Sequence, residues 1–171
     1  MNCFCGIRSF IKSFIYREIR NQEMEFIQKL KAVDHKKLPL FSFQGKTILA
    51  RVVDVYDGDT LTIIFEYNGE MMKYKMRAMG YDCAEMKPKK DDPNRDKEKE
   101  LAKLAKSRFI ELMGGDDAIV RIKMLEFDKY GRILGYIYHY DDNVETSKSI
   151  NDKMIEEGHG KPYSGGTKEE W

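Results

Sequence analysis

Residues 61–79 read LTIIFEYNGEMMKYKMRAM, a pattern typical of two β-strands joined by a short turn. Its two halves, Leu61 to Tyr67 and Met71 to Met79, are rich in β-branched, aromatic and long apolar residues, as strands are. Asn68-Gly69 between them is a two-residue connection that accepts positive φ at both turn positions. The stretch therefore predicts a tight antiparallel hairpin.

From Met72 to Ala78, the second strand of this hairpin alternates strictly between apolar and basic residues. Because successive side chains of a strand point to opposite faces, the apolar set should line the core and the basic set should face outward. The apolar set is Met72, Tyr74, Met76 and Ala78, and the basic set is Lys73, Lys75 and Arg77. We therefore expect Arg77 to point away from the core.

On either side of the hairpin the pattern predicts three more strands and two helices. The strands are Ile48 to Tyr56, Ile119 to Phe127 and Ile133 to Tyr140, and the helices are Lys97 to Met113 and Ile150 to Glu157. The order is βββαββα. Five short antiparallel strands with a helix between the third and fourth favour an α+β fold, an OB-fold Greek-key β-barrel with flanking helices.

The chain has 171 residues, of which 42% are hydrophobic, so it can bury one core. We expect an N-terminal extension and linker over residues 1–38 and the barrel domain over residues 39–171. The 30 basic and 29 acidic residues nearly cancel, which excludes a polycation that coats nucleic acid. Any anion binding must be local.

The cysteines and the first twenty residues indicate where the protein works. Three cysteines do not make a disulfide framework. Residues 1–20 lack the uninterrupted apolar run of a signal peptide or a membrane span. The sequence therefore predicts an intracellular, cytoplasmic protein that is not secreted.

The same twenty residues predict a short basic amphipathic helix, and an apolar rhythm from Met24 to Val33 continues it. Ile7, Phe10, Ile11, Phe14 and Ile15 recur at helical spacing, with Arg8, Lys12, Arg17 and Arg20 on the other side. Such a helix either lies on an anionic membrane surface, with acylation at Cys3 or Cys5, or packs against the domain or a second copy. The pattern leaves both readings open.

Three charged motifs carry the functional signal. They are DGDT at residues 57–60, RAMGYDCAE at 77–85 and DKYGR at 128–132, and each alone is most simply a turn or a solvated loop. In this order and spacing they resemble the staphylococcal nuclease (thermonuclease) family, over roughly Ile48 to Lys168. The N-terminal extension and the GHGKPYSGGTK ending are similar to its intracellular branch.

The resemblance implies an OB barrel that hydrolyses DNA and RNA with calcium, to products ending in 3′-phosphate. It implies that Asp59 and Asp82 bind calcium directly and that Cys83, where the family usually has threonine, serves it through its backbone carbonyl. Glu85 matches the catalytic glutamate, and Arg77 and Arg132 match the arginines that hold the phosphate. Such a site needs cationic donors in place because the phosphodiester gains negative charge as water attacks.

Three further residues match substrate-binding positions of the family: Lys129, Tyr130 and Tyr163. Because bases of any sequence stack on aromatic rings, we expect little sequence preference and a preference for single strands. Ala84 stands where the family usually has proline.

The alternative to a calcium-dependent nuclease is a non-catalytic OB barrel that binds nucleic acid or peptide. No protein partner is inferred.

Overall fold

The structure of the protein is a computed structural model that describes residues 3–166 and residue 171, without the side chains of residues 3–11 and 13. The chain divides into two compact units, Met1–Phe41 and Ser42–Trp171. The first unit contains helix α1, Cys3–Ala32, so the predicted N-terminal helix and its continuation form one helix. The side chains of Cys3, Cys5, Ile7, Phe10 and Ile11 lie outside the described residues. Across the described ranges, no helix has both the length and the apolar character that crossing a membrane requires.

The second unit contains the remaining elements. These are β1 Thr47–Val55, β2 Thr60–Tyr67, β3 Glu70–Ala78, β4 Tyr81–Asp82, α2 Arg95–Met113, β5 Ile119–Phe127, β6 Ile133–His139, α3 Ile150–Glu156 and β7 Lys161–Pro162. All five predicted barrel strands and both predicted helices are present. The β2–β3 turn has φ of 53° at Asn68 and 83° at Gly69, which confirms the predicted hairpin.

The barrel is closed in the order β1-β2-β3-β6-β5, which confirms the OB-fold expectation. One detail was wrong, because β3 and β6 are parallel, with Met76 opposite Ile133 and Ala78 opposite Gly135. The other four neighbouring pairs are antiparallel. The parallel pair closes the barrel and brings Arg77, opposite Leu134, near the turn that precedes β6.

The barrel interior is filled by apolar side chains from all five strands and from α2, as alternation predicts. Phe43, just before β1, closes one end of it. The Phe43 ring lies 5.6 Å from that of Phe65, 5.2 Å from that of Tyr67 and 5.5 Å from that of Phe127, centroid to centroid. Contacts of this kind stabilise beyond simple burial, so the domain includes the residues just before its first strand.

The buried face of α2 differs from the prediction. Helical spacing predicts a buried stripe of Leu101, Leu104, Ala105, Phe109 and Leu112. Leu104 is instead 58% exposed, and the buried residues are Ala102, Ala105, Phe109 and Met113. Small alanines let the helix approach the barrel closely, whereas Leu104 falls on the outer side of the turn. The helix ends as predicted, at Gly114 with a left-handed φ of 102°.

A second, two-stranded sheet was not predicted. It pairs β4 with β7, with Tyr81 opposite Pro162 and Asp82 opposite Lys161. Helix α3, which precedes β7, begins with a capping box between Ser149 and Asp152. This sheet ties the C-terminal segment to the end of β3.

Candidate active site

The DGDT motif forms a turn between β1 and β2 that holds two carboxylates inside the protein. The Asp57 Oδ1 atom accepts hydrogen bonds from the amides of Asp59 at 3.1 Å and Thr60 at 2.8 Å. The Thr60 hydroxyl donates to Asp59 Oδ1 at 2.7 Å. Asp57 is 7% exposed and Asp59 only 2%. The turn therefore fixes the Asp59 carboxylate in a buried position.

Tyr81 connects this turn to the next motif. Its side chain is fully buried, and its hydroxyl donates to the Gly58 carbonyl oxygen at 2.7 Å. Because Tyr81 and Asp82 form β4, this bond places Asp82, which is 4% exposed, beside the DGDT turn. The sequence motif did not predict a role for Tyr81. Its aromatic side chain, between the arginine and the acidic residues of the motif, was a signal that could have indicated a structural role.

Arg77 lies between the two predicted calcium ligands and contacts both. Its Nη2 atom is 2.8 Å from Asp59 Oδ2 and 2.7 Å from Asp82 Oδ1, and its Nη1 atom is 3.0 Å from Asp59 Oδ1. The Arg77 side chain is 15% exposed. The structure thus brings Asp59, Asp82 and Arg77 together, as the motifs predict, but pairs the arginine with the carboxylates.

The charges of this cluster do not balance, since Arg77 contributes one positive charge against the carboxylates of Asp57, Asp59 and Asp82. Burial raises the pKa of Asp59, and the nearby Asp57 carboxylate raises it further. Arg77 and the Thr60 hydroxyl act in the opposite direction, but the pKa of Asp59 still reaches about 7. The cluster therefore favours either a proton or an added cation.

These residues fit calcium by their chemistry. Calcium takes oxygen ligands, and carboxylates and backbone carbonyls are typical of its sites. Among residues 3–166 and 171, no group of three or more His, Cys, Asp or Glu side chains is arranged to hold a metal ion. A cation here must therefore combine the Asp59 and Asp82 carboxylates with backbone oxygens or water.

Cys83 is buried, and its side chain packs beside Gly58 of the DGDT turn. Its thiol donates to the His159 carbonyl oxygen at 3.3 Å, and a Cβ added at Gly58 would lie 2.6 Å from Cys83 Sγ. Burial raises the pKa of the Cys83 thiol, so the thiol stays protonated and is not a thiolate ligand. This agrees with a part for Cys83 through its backbone only.

Arg132 is positioned by the first residue of its own motif. Asp128 Oδ1 accepts from the amides of Tyr130 at 2.8 Å and Arg132 at 2.9 Å, and Asp128 Oδ2 accepts from Arg132 Nε at 2.6 Å. Burial opposes the charge of Asp128, but these hydrogen bonds hold its pKa below its ordinary value. Sequence reasoning did not select Asp128, although an aspartate opening a glycine turn was a signal for it.

A cleft of about 470 Å³ brings the remaining predicted residues together, and we call it the tyrosine cleft. Its lining includes Arg77, Glu85, Arg132, Lys129, Tyr130 and Tyr163. Tyr130 is 72% exposed, with Lys129 Nζ 5.0 Å and Arg132 Cζ 5.5 Å from its ring centroid. The Tyr163 amide donates to the Gly80 carbonyl oxygen at 2.9 Å. All three predicted catalytic residues and all three predicted substrate-binding residues thus line one cleft.

Asn151 holds this region together, and nothing in the sequence analysis pointed to it. Its Oδ1 atom accepts from the Ile137 amide at 2.9 Å, and its Nδ2 atom donates to the carbonyl oxygens of Met79 at 2.8 Å and Gly135 at 3.1 Å. These bonds link α3 to β6 and to the end of β3, just after Arg77. An asparagine in a capped helix looks like an ordinary surface residue in sequence.

Fold and site together define an OB-fold protein with an arginine-lined cleft beside a buried carboxylate cluster. Residues 75–169, more than half of the chain, match the family model described as staphylococcal nuclease homologue, and the chain belongs to this family. The matched range contains Arg77, Asp82, Glu85 and Arg132 and begins after Asp59. The comparison with curated proteins finds no match. The family is nuclease-like, in agreement with a nucleic-acid substrate.

Proposed function

We propose that the protein is a calcium-dependent nuclease that hydrolyses phosphodiester bonds of DNA and RNA and leaves 3′-phosphate ends. The observation that carries this proposal is the shared position of Arg77, Glu85 and Arg132 on one cleft, beside the buried carboxylates of Asp59 and Asp82. Two guanidinium groups and a carboxylate around one cavity suit a reaction in which a phosphodiester gains negative charge.

The arginines bind and orient the phosphate. A guanidinium stays charged and offers planar, paired donors that match two phosphate oxygens. The guanidinium of Arg132 is held by Asp128 through Nε, which leaves its terminal nitrogens to face the cleft. Arg77 contacts the Asp59 and Asp82 carboxylates, and its remaining N–H donors are available to the substrate.

Calcium would be held by the Asp59 and Asp82 carboxylates and by the Cys83 backbone carbonyl. When bound, it polarises a phosphoryl oxygen and offsets negative charge. Burying these carboxylates without a compensating cation costs free energy. The same carboxylates therefore attract a cation.

Glu85 is the group that activates water. It is half-buried and lines the tyrosine cleft, and its amide donates to Glu98 Oε1 at 3.1 Å, which fixes the backbone that carries it. Its carboxylate takes a proton from the attacking water. The water oxygen bonds to phosphorus, the bond from phosphorus to the 5′ oxygen breaks, and that oxygen takes a proton from the solvent as it leaves.

The bases of the substrate stack on tyrosines. The exposed Tyr130 ring and the Tyr163 ring line the same cleft as the arginines, and stacking on such rings accepts any base. A base inside a duplex has no free face, so single strands and frayed ends should be preferred substrates. Lys129 adds a positive charge for a neighbouring phosphate.

The test is cleavage of single-stranded DNA by the purified protein, with calcium or with a chelator. Glu85→Gln should lower kcat by about 10²-fold or more, with little change in substrate affinity. Glu66→Gln, an exposed glutamate of β2 that does not line the cleft, is the matched control and should leave kcat unchanged. If the folded protein binds DNA but shows no calcium-dependent cleavage, it is the non-catalytic binding module instead.

A second proposal concerns α1, which we assign to peripheral contact with anionic membranes. Its apolar side chains Ile15, Ile19, Phe26 and Leu30 are exposed and recur at spacings of four and seven residues, with basic residues such as Arg17 and Arg20 elsewhere around the helix. This pattern is typical of helices that lie in a membrane interface.

Flotation of the full chain with anionic and with neutral liposomes tests this second proposal. Replacing Ile15 and Ile19 by serine should release the protein from anionic liposomes. Leu104→Ser, which removes an exposed leucine from α2, is the control and should not. If the unaltered chain stays unbound to anionic liposomes, the membrane assignment is wrong.

A further inference from the structure

A second cleft meets the tyrosine cleft at the catalytic residues. It has a volume of about 300 Å³, and Arg77, Glu85 and Arg132 line it as they line the tyrosine cleft. The rest of its lining comes from other parts of the chain, namely β1, β2, the DGDT turn and the outer face of β3. The three predicted catalytic residues therefore stand between two separate clefts. We call this second one the barrel-face cleft.

The chemistry of a phosphodiester explains why two clefts are useful. Each scissile phosphate joins two nucleosides, one through a 3′ oxygen and one through a 5′ oxygen. If the phosphate lies on Arg77 and Arg132 and one nucleoside enters the tyrosine cleft, the other must leave in a different direction. The barrel-face cleft opens from the same residues and has a volume in the range of small-ligand sites.

The side chains of the barrel-face cleft suit a nucleoside and its next phosphate. Tyr56 is 45% exposed and lines the cleft, so a base has an aromatic ring to stack on. Lys87 Nζ lies 6.0 Å from the Tyr56 ring centroid, which adds positive charge beside that ring. Lys75 on β3 and Thr62 opposite it on β2 supply an ammonium group and a hydroxyl.

The cleft also contains carboxylates, which limit where a phosphate can lie. Asp57 uses its Oδ1 atom to hold the amides of Asp59 and Thr60 and is buried. Asp54, which lies on β1 opposite Thr62, is exposed at the rim of the cleft. A phosphate should therefore lie toward Lys75 and Lys87 and away from Asp54.

We propose that the barrel-face cleft is a second nucleoside subsite, in which Tyr56 stacks on the base and Lys75 binds the adjoining phosphate on the far side of the scissile bond. This inference rests on the proposed nuclease function. It assigns the tyrosine cleft to one side of the cleaved bond and the barrel-face cleft to the other.

Binding in the Glu85→Gln background, with calcium present, tests this assignment without cleavage. The probes are thymidine 3′-phosphate, thymidine 5′-phosphate and a short oligothymidylate, measured by calorimetry. With the phosphate anchored on the arginines, each mononucleotide has its nucleoside on one side only. Tyr56→Ala should weaken one mononucleotide about tenfold, Tyr130→Ala should weaken the other about tenfold, and both should weaken the oligothymidylate.

Matched controls come from the same surfaces. Lys73 is on the same face of β3 as Lys75 but does not line the cleft, and Tyr140 is half-exposed at the end of β6. Lys75→Ala should weaken oligothymidylate and reduce the slope of log affinity against log salt by about 0.7. Lys73→Ala and Tyr140→Ala should match the parent protein on every probe.

The outcomes separate this inference from the proposed function. If the Tyr56 and Lys75 variants bind all three probes like their controls, the barrel-face cleft is not a subsite, whatever the cleavage assay shows. If Tyr56→Ala weakens both mononucleotides equally, the two clefts do not divide the substrate and the inference also fails. Cleavage of oligothymidylate by the unaltered protein with calcium tests the nuclease function separately.

Discussion

Asp59→Asn should make the protein more stable at neutral pH while it removes a proposed calcium ligand. Asp59 is almost completely buried, and burial together with the Asp57 carboxylate raises its pKa from 3.8 to about 7. Asparagine has the same shape and never ionises, so the variant keeps the packing and removes the buried charge.

The direction and size of the effect follow from the pKa. Between 3.8 and about 7 the folded protein holds a proton on Asp59 that the unfolded chain releases, so the free energy of unfolding falls as pH rises. The rise from 3.8 to about 7, at about 1.4 kcal/mol per pKa unit, amounts to about 4 kcal/mol. Below the lower value, the protein and the variant should be equally stable.

The measurement is urea unfolding followed by near-ultraviolet circular dichroism, with a chelator present, from about pH 4 to about pH 8. The difference between the protein and Asp59→Asn at each pH cancels the contributions of groups that do not interact with Asp59. Asp117→Asn is the control of opposite sign, because the hydrogen bond from Arg51 lowers the pKa of Asp117. That variant should lose stability at neutral pH.

Calcium should reduce the stability advantage of Asp59→Asn at neutral pH. The unaltered protein gains about 2.7 kcal/mol when calcium is a hundredfold above its dissociation constant, and Asp59→Asn gains less. The reasoning is refuted if, with the chelator, the protein is as stable at pH 8 as at pH 5 and Asp59→Asn is the less stable of the two. Arg77 would then stabilise the ionised carboxylate more than burial destabilises it.

Three further substitutions test the framework of the site, the first two by urea unfolding and the third by cleavage kinetics together with urea unfolding. Asn151→Leu should cost about 3 kcal/mol, since it removes the partner of the buried Ile137 amide and of the Met79 carbonyl oxygen, and a loss below about 1 kcal/mol would contradict the role of this residue. Gly58→Ala should cost about 1 to 3 kcal/mol because its Cβ would lie 2.6 Å from Cys83 Sγ, and Cys83→Ala in the same chain should recover part of that loss. Asp128→Asn should lower kcat by a larger factor than it lowers the folding equilibrium constant, because it weakens the hydrogen bond that positions the Arg132 guanidinium. A kcat equal to that of the unaltered protein would show that Arg132 does not need this positioning.

Local patterns were enough to predict the elements of the barrel. Alternation in β3 set which residues are buried, and the Asn68-Gly69 turn fixed its pairing with β2, because both signals involve neighbouring residues only. The end of α2 at Met113 and the start of α3 at Ile150 were predictable for the same reason. The motifs also selected side chains that do meet in space, from Arg77 to Arg132.

Features that depend on contacts between residues far apart in the chain could not be predicted from the sequence. Two-residue strands such as β4 and β7 have no periodicity, and the direction of β6 relative to β3 leaves no mark on either strand. From sequence, either Leu104 or Ala102 could lie on the buried face of the helix. Which of them is buried depends on how closely α2 approaches the barrel. Tyr81 and Asn151 act through hydrogen bonds to backbone atoms of distant segments, which a sequence does not display.

Two departures from the family pattern lie next to the predicted calcium ligands, and the structure shows why they leave the carboxylates in place. The Cys83 side chain fills the space beside Gly58 and bonds to the His159 carbonyl oxygen, so it joins the DGDT turn to the segment before β7. Ala84 is buried and followed by an amide held by Glu98. The backbone before Glu85 is therefore held by packing and by a hydrogen bond, so it does not need proline for rigidity.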